Sequence, residues 1–417
     1  MFTYQWKLEK VLINLIDWIK VKLEHIMQNE NSIRKKVFIV ECKDYKQVDM
    51  KLAELIIMLG GIEKFVKPDQ RVALKPNLLS AADPDKAVTT HPSVIAAIGN
   101  ILKQVTNRIV IAESPGSGYN YDKKVLEKTY KVCGIEDAAN SAGIELNFDT
   151  SFETISFPAG RLVKRFEIIT PIRLCDCYIN LCKLKTHGLM YMSGAIKNIF
   201  GVIPGRSKPG YHSTMTNNEL FAGVLLDLAS LVPPKLTIVD AVVGMEGDGP
   251  FSGDPRPVGL LLASEDLLSL DLVLSEMMGI PADNNPLLVE ARRRHMFPSN
   301  LDDVDIVGMD KKELRIDGFK LPASYSKQRK NDISRGGFLM GLVKRSYTVE
   351  PRIKKSNCTA CGVCQKACPR DAIQIIDKCS VIDKKTCIRC YCCHEMCQYN
   401  AIELHQSFLY RMANNRN

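Results

Sequence analysis

Two runs of cysteines near the C-terminus could hold iron–sulfur clusters. The first run reads Cys358-x-x-Cys361-x-x-Cys364-x-x-x-Cys368, and the second reads Cys387-x-x-Cys390-x-x-Cys393-x-x-x-Cys397. These spacings suit [4Fe–4S] clusters, because three thiolates come from one tight loop and the fourth crosses to the other cluster. The pattern therefore predicts two [4Fe–4S] clusters. Cys358, Cys361, Cys364 and Cys397 would hold one cluster, and Cys387, Cys390, Cys393 and Cys368 would hold the other.

Zinc knuckles and disulfides are the alternatives to clusters. Closed zinc sites usually pair two C-x-x-C knuckles across a longer gap, unlike two successive four-cysteine runs. Cys379 and Cys392 are additional thiols in this stretch, and Gln398 stands where a proline usually follows the last ligand. Cys392 could compete as a ligand, but we favour its packing as a small buried hydrophobe. With these departures, residues 349–407 resemble the bacterial two-cluster ferredoxin family.

Polar residues follow four predicted strands of the preceding region. They lie at 75–77, 113–116, 183–187 and 240–250. Open α/β sheets bind ligands beyond the carboxyl ends of their strands, so we expect these segments to converge on one crevice. Lysine and histidine donors there favour an anionic small molecule such as a carboxylate or phosphate. A metal held by the acids and a histidine stays open, since no spacing here is diagnostic.

The candidate crevice residues have distinct expected roles. We expect Lys185 and His187 to orient or protonate the ligand, and Lys197 to neutralise its charge beside Lys75. Asp240 or Glu246 would supply a carboxylate. The remaining candidates for ligand binding are Asn77, Ser114, Asn198 and His212. Several of these residues also have a structural interpretation. Lys75 and Asn77 could form a turn. His187 could make a structural hydrogen bond, and Lys197 could lie on an exposed helix face.

Strand and helix patterns alternate along the region that must position these residues. Strands are predicted at 37–42, 71–74, 109–112, 175–184, 236–239 and 258–263, and helices at 48–59, 93–105, 121–142, 193–200, 219–231 and 267–278. Residues 154–169 are predicted to form an antiparallel excursion. Such alternation predicts a doubly wound α/β domain with a mainly parallel sheet. The cysteine runs predict a small C-terminal α+β two-cluster ferredoxin-like domain.

The predicted organisation has five parts. They are an amphipathic N-terminal extension (1–35), the α/β domain (36–318), a linker (319–348) and two 4Fe–4S ferredoxin-type units (349–378 and 379–407). The extension could be an interfacial helix on a membrane or partner, or an artefact of the chosen start site.

Composition excludes several classes of protein. The formal charge of +9 is spread along 417 residues with only two Trp, so no nucleic-acid signature is present. No apolar run is long enough for a transmembrane segment. The fifteen cysteines show no disulfide framework, so we expect reduced thiols in a reducing compartment. A cytoplasmic location is therefore expected. Residues 350–403 hold nine Lys/Arg against six Asp/Glu, which suits a module that serves the tethered α/β domain or an acidic redox partner.

The α/β region resembles the bacterial and archaeal family called domain of unknown function 362, often fused to a two-cluster ferredoxin module. The matching stretches are 72–77, 183–187 with 194–201, and 240–250 within residues 36–310. The resemblance implies iron–sulfur binding and a redox role but no substrate.

The leading hypothesis is an iron–sulfur oxidoreductase that passes electrons between a redox partner, either a protein or another reductant, and an anionic ligand in the crevice. The alternatives are a non-catalytic electron carrier or metallocofactor-assembly factor, and an enzyme whose clusters are structural. Whether a flavin or metal acts as an additional cofactor stays open.

Overall fold

The computed structural model describes residues 34–116, 121–215, 217–325 and 349–407. The predicted N-terminal extension lies outside the described residues except for its last two positions. Most of the predicted linker, residues 326–348, also lies outside them.

The described residues form fifteen strands and twelve helices, numbered here in chain order. The strands are β1 Lys35–Glu41, β2 Val72–Pro76, β3 Ile109–Ile111, β4 Glu145–Leu146, β5 Phe152–Ser156, β6 Arg165–Ile169, β7 Cys177–His187, β8 Tyr191–Ser193, β9 Leu236–Glu246, β10 Asp254–Ser264, β11 Val304–Val307, β12 Val349–Ile353, β13 Ile373–Ile376, β14 Cys379–Ile382 and β15 Ile402–Gln406. The helices are α1 Val48–Met58, α2 Pro92–Leu102, α3 Lys123–Val132, α4 Ile135–Ala142, α5 Thr170–Arg173, α6 Ala195–Ile199, α7 Lys208–Thr214, α8 Asn218–Leu231, α9 Leu267–Met277, α10 Pro286–Arg293, α11 Val363–Ala367 and α12 Cys392–Glu395.

One nine-stranded sheet organises the large domain. Its strand order is β11-β1-β10-β9-β7-β2-β3-β4, with β8 paired to β7. Neighbours β9, β7, β2, β3 and β4 run parallel, whereas β10 is antiparallel to both β9 and β1. The carboxyl ends of β9, β7, β2 and β3 therefore meet at one edge. This mainly parallel sheet confirms the predicted fold class, and β5–β6 form the predicted antiparallel excursion.

Helices cover both faces of the sheet, as a doubly wound fold requires. Helices α1 to α4 pack on one face around a core that includes Leu52, Ile98 and Leu126. Helices α6, α8, α9 and α10 pack on the other around Ile196, Leu225 and Leu272. Because both faces are covered, the central strand β7 is buried at every position.

Two predicted elements differ from the structure for identifiable reasons. The helix predicted at 121–142 is two helices, because Gly134 adopts a left-handed backbone (φ 67°) that ends α3 and starts α4. Strands β7 and β9 continue beyond the predicted ends at 184 and 239, to His187 and Glu246. Their polar ends are buried as paired groups, which an apolar pattern does not reveal.

The C-terminal module is a small α+β unit. It pairs β12 with β15 and β13 with β14, and each of its two short helices lies within one of the cysteine runs. The module packs on the α/β domain, where His394 Nε2 lies 3.1 Å from the carbonyl oxygen of Asp248. No helix among the described residues is long and apolar enough to cross a membrane.

Candidate functional site

A polar cavity of about 60 Å³ lies between the carboxyl edge of the sheet and the C-terminal module. Its walls come from the ends of β2, β3 and β7, from α6 and α7, and from Glu395 of α12. Seven predicted site residues line it, namely Asn77, Ser114, Lys185, His187, Lys197, Asn198 and His212. The volume exceeds the 10–15 Å³ or so that one water needs, so the cavity has room for a ligand of a few heavy atoms.

Lys75 lies behind the cavity wall. Its Nζ is 2.5 Å from Oε2 of Glu113, which does line the cavity, and both side chains are buried. Burial lowers the pKa of Lys75 and raises the pKa of Glu113, while each charge opposes the shift of the other. Lys75 can therefore act on a bound ligand only through Glu113.

Asp240 and Glu246 are placed away from the cavity. Asp240 forms a fully buried ion pair with Lys183 (Oδ2 to Nζ, 2.9 Å) and also accepts hydrogen bonds from the Tyr45 hydroxyl and the His91 amide. Glu246 accepts a hydrogen bond from the Lys320 amide. Both carboxylates have protein partners, and neither lines the cavity described here.

Three lysine ammonium groups converge on the cavity. Lys185 Nζ donates to the carbonyl of Val88 at 2.6 Å, and Lys208 Nζ donates to the carbonyls of Ser114 and Pro115 at 2.5 and 2.8 Å. Lys197 makes no hydrogen bond or ion pair with the described residues, and its Nζ lies 5.3 Å from the ring centre of Phe200. Burial, followed by repulsion from Lys197, lowers the pKa of Lys185 to about 7. Burial also lowers the pKa of Lys208 to about 7 and shifts that of Lys197 downward.

Glu395 is a site residue that the sequence did not identify. It lies between Cys393 and Cys397, and its Oε1 is 3.2 Å from Nε2 of His187. Burial raises the pKa of Glu395 to about 7, against the opposing effect of Lys197 and Lys185. Its position in the cysteine run gives no signal of this contact, because the contact depends on how the module docks.

Three polar atoms on the cavity wall have neither a hydrogen-bond nor an ion-pair partner among the described residues. They are Asn77 Oδ1, Ser114 Oγ and His212 Nδ1. Asn77 is otherwise held by Asn198, whose Oδ1 accepts from Asn77 Nδ2 at 2.9 Å. Buried polar groups are almost always satisfied by protein, water or ligand. The cavity therefore has the polar groups of a binding site.

The cysteines of the two runs lie in two groups. Cys358, Cys361, Cys364 and Cys397 line one small cavity, and Cys368, Cys387, Cys390 and Cys393 line another. Each cavity thus draws three thiols from one run and one from the other, which is the donor set of a [4Fe–4S] cluster. No group of three His, Cys, Asp or Glu side chains in the described part of the chain is placed to hold a single metal ion.

Comparisons with known proteins agree with these two parts. Residues 72–276 match the family described as Domain of unknown function (DUF362), and residues 351–374 match a 4Fe–4S binding domain. The chain is 31% identical over 278 residues to the thylakoid-associated protein sll1697 of Synechocystis, covering 65% of this chain and 82% of that protein.

Two solved structures also align with the chain, both at 13% identity. The lactate racemase apoprotein from Thermoanaerobacterium thermosaccharolyticum aligns with a TM-score of 0.37 over 60% of this chain and 58% of that chain. A Thermotoga maritima protein aligns with a TM-score of 0.33 over 53% and 56%, respectively. The chain thus spans less than two thirds of either solved protein.

Proposed function

The chain belongs to the family named domain of unknown function 362, and on that premise we propose that it is an iron–sulfur oxidoreductase. It would pass electrons between a redox partner and a small anionic ligand in the polar cavity. The observation that carries the proposal is that the cysteine-bearing module itself closes the cavity, through Glu395. Electron transfer and ligand binding would then occur on two sides of one short helix.

Two [4Fe–4S] clusters are part of the proposal. Cys358, Cys361, Cys364 and Cys397 would hold the first, and Cys387, Cys390, Cys393 and Cys368 the second, as the two cysteine-lined cavities support. Bound clusters of this kind accept and donate single electrons. The 4Fe–4S match covers residues 351–374, so the second cluster rests on the geometry of the other cavity.

The charge balance of the cavity favours an anionic ligand. Lys185, Lys197 and Lys208 line it together with Glu113 and Glu395, and Lys75 adds a fourth ammonium group behind Glu113. Buried charges are costly unless they are paired, and burial lowers the pKa values of Lys185 and Lys208 to about 7 despite the opposing effect of Glu113. An anion would supply that charge and restore the protonated state of the lysines.

Individual roles follow from position. Lys185, Lys197 and Lys208 would bind the anionic group, and His187 would orient the ligand or exchange a proton with it. Asn77, Ser114, Asn198 and His212 would add neutral hydrogen bonds from the wall. Lys75 would hold Glu113 in place. Asp240 is better suited to support β7 through Lys183 than to act in the cavity.

Anion binding with a redox readout tests this function. Protein purified without oxygen would be titrated with sulfate and with oxalate, while calorimetry records binding and paramagnetic resonance records the reduced clusters. We expect the wild type to bind one anion and the paramagnetic resonance spectrum of its clusters to change on binding. The Lys185→Met, Lys197→Met double variant should keep its cluster absorbance but show neither effect. Lys128→Met, at an exposed position on α3, is the matched control. Equal anion binding by the double variant and the control would contradict the assignment of the cavity.

We also propose a cytoplasmic location, because a reducing compartment would keep the fifteen cysteines reduced. The relative in Synechocystis is described as thylakoid-associated. Fractionation of cells therefore tests the proposal, and recovery of the protein with membranes would contradict it.

A further inference from the structure

The two cysteine groups have different surroundings. In the run that carries the second group, Tyr391, His394 and Glu395 face the α/β domain. Glu395 contacts His187, and His394 contacts the Asp248 carbonyl. In the first group, Cys361 is exposed at the surface of the module. The first group therefore lies nearer to solvent, and the second lies nearer to the polar cavity.

Two exposed apolar side chains lie beside the first group. Ile375 is 40% exposed and Tyr399 is 50% exposed. Ile375 reaches Gly362, the residue after Cys361, and Tyr399 lines the same cavity as the first group. Clustered exposed apolar residues on a protein surface mark interaction sites more often than chance exposure does.

Exposed basic residues outnumber acidic ones in the segment that carries the first run. Six exposed Lys or Arg lie between residues 352 and 378, namely Arg352, Lys354, Lys355, Lys366, Arg370 and Lys378, against two exposed carboxylates there, Asp371 and Asp377. Lys355 acts electrostatically on Cys379, which interacts with Cys358 of the first group and directly follows Lys378. A surface that combines exposed apolar and basic side chains fits a protein whose docking surface is acidic, because complementary charge guides the encounter.

We propose that this surface docks a small acidic electron-carrier protein, and that electrons enter the chain through the first cysteine group. The inference rests on the two-cluster function proposed above and names its partner class. In the transfer, the reduced carrier loses one electron to the cluster held at Cys361, and no covalent bond forms or breaks. The second group would then connect this entry surface to the cavity.

Stopped-flow reduction of the cluster-loaded protein by a reduced flavodoxin, an acidic one-electron carrier, tests the proposal. We expect a Lys355→Glu, Lys378→Glu variant to lower the second-order rate constant about tenfold or more at low salt and to weaken its salt dependence. Ile375→Asp should also slow the reaction. Lys124→Glu, Lys128→Glu on exposed α3 makes the same change in net charge and should leave the rate near that of the wild type.

Reduction of the clusters by reduced methyl viologen separates the proposed redox function from the proposed docking surface. This small cation needs no protein docking surface, so it should reduce wild type and the module variants at comparable rates. If the viologen fails to reduce wild-type clusters, the proposed redox function is wrong. The proposed docking surface is wrong if the viologen reduces the clusters but the rate constant with flavodoxin is unchanged in the module variants. It is also wrong if the α3 variant lowers that rate constant as much as the module variants do. A dimer of the chain that buries Ile375 in solution would likewise overturn the proposed docking surface.

Discussion

His187 Nε2 and Glu395 Oε1 lie 3.2 Å apart, joining the central strand β7 to the cysteine-bearing helix α12. The amides of Leu189 and Met190 both donate to His187 Nδ1, at 3.1 and 3.3 Å. Burial also lowers the pKa of His187 well below its usual value, so the ring is neutral with its proton on Nε2. His187 therefore presents its protonated Nε2 beside Glu395 Oε1, and this polar contact links the strand to the carboxylate in the cavity.

Replacing Glu395 with Gln should strengthen anion binding. Glutamine keeps an oxygen that can accept from His187 Nε2, but it removes the carboxylate that shares Lys185 and Lys197 with any ligand. We expect the dissociation constant for sulfate to fall about tenfold in calorimetric titration. The exposed Glu127→Gln variant is the control. Weaker sulfate binding by Glu395→Gln would show that the carboxylate helps to hold the ligand.

Lys185→Met should change how stability depends on pH. The usual pKa of lysine is 10.5, and the folded value for Lys185 is about 7, so between these values the unfolded chain binds the extra proton. The contribution of Lys185 to the free energy of unfolding therefore rises with pH from about 7 to 10.5 and is least favourable below 7. The charges acting on Lys185 include Lys197, Glu395, Lys183 and Glu113.

Urea unfolding at pH 7 and pH 9 measures this effect. We expect the stability of wild type relative to Lys185→Met to improve by roughly 2 kcal/mol between the two pH values. Lys128→Met, which alters an exposed lysine, should show no such change. A constant difference between wild type and Lys185→Met would mean that Lys185 keeps an ordinary pKa.

Ser380→Ala should lower the reduction potential of the cluster at the first cysteine group. The Ser380 hydroxyl lies 3.2 Å from Cys364 Sγ, and its amide donates to Cys358 Sγ at 3.4 Å. Hydrogen bonds to ligand sulfur favour the more negative, reduced state, so losing the hydroxyl favours the oxidised state. A redox titration followed by paramagnetic resonance gives the potential.

The exposed Ser356→Ala variant should leave that potential unchanged, because the Ser356 hydroxyl bonds to Asn357 instead of a cysteine. Equal shifts at both clusters would contradict the assignment of Cys358 and Cys364 to one group.

Gly201→Ala should destabilise the protein. A methyl group at this position would come 1.8 Å from Glu113 Oε1 and push the carboxylate from its place beside Lys75. We expect a loss of ~1–3 kcal/mol in the free energy of unfolding, as for other overpacked sites. Gly210→Ala is the control, since a methyl group there meets no atom within 4 Å. Equal stability of the two variants would show that Glu113 relaxes without cost.

The sequence predicted the layers of the fold because strand and helix periodicities are strong in a buried parallel sheet. The cysteine spacing predicts two ligand sets, since such spacing reflects a local loop geometry. The sequence did not predict that Asp240 lies inside a strand, because its buried ion pair with Lys183 interrupts the apolar pattern that marks a strand. It could not identify Glu395, whose role depends on docking between segments more than two hundred residues apart.

Native mass spectrometry of protein purified without oxygen is the most direct test of the central claim. We predict a mass that exceeds the polypeptide by two [4Fe–4S] units, with a further small anion retained by wild type and lost from the Lys185→Met, Lys197→Met variant. One cluster unit, or an increment the size of zinc, would contradict the two-cluster assignment. An anion retained equally by that variant would contradict the proposed cavity site.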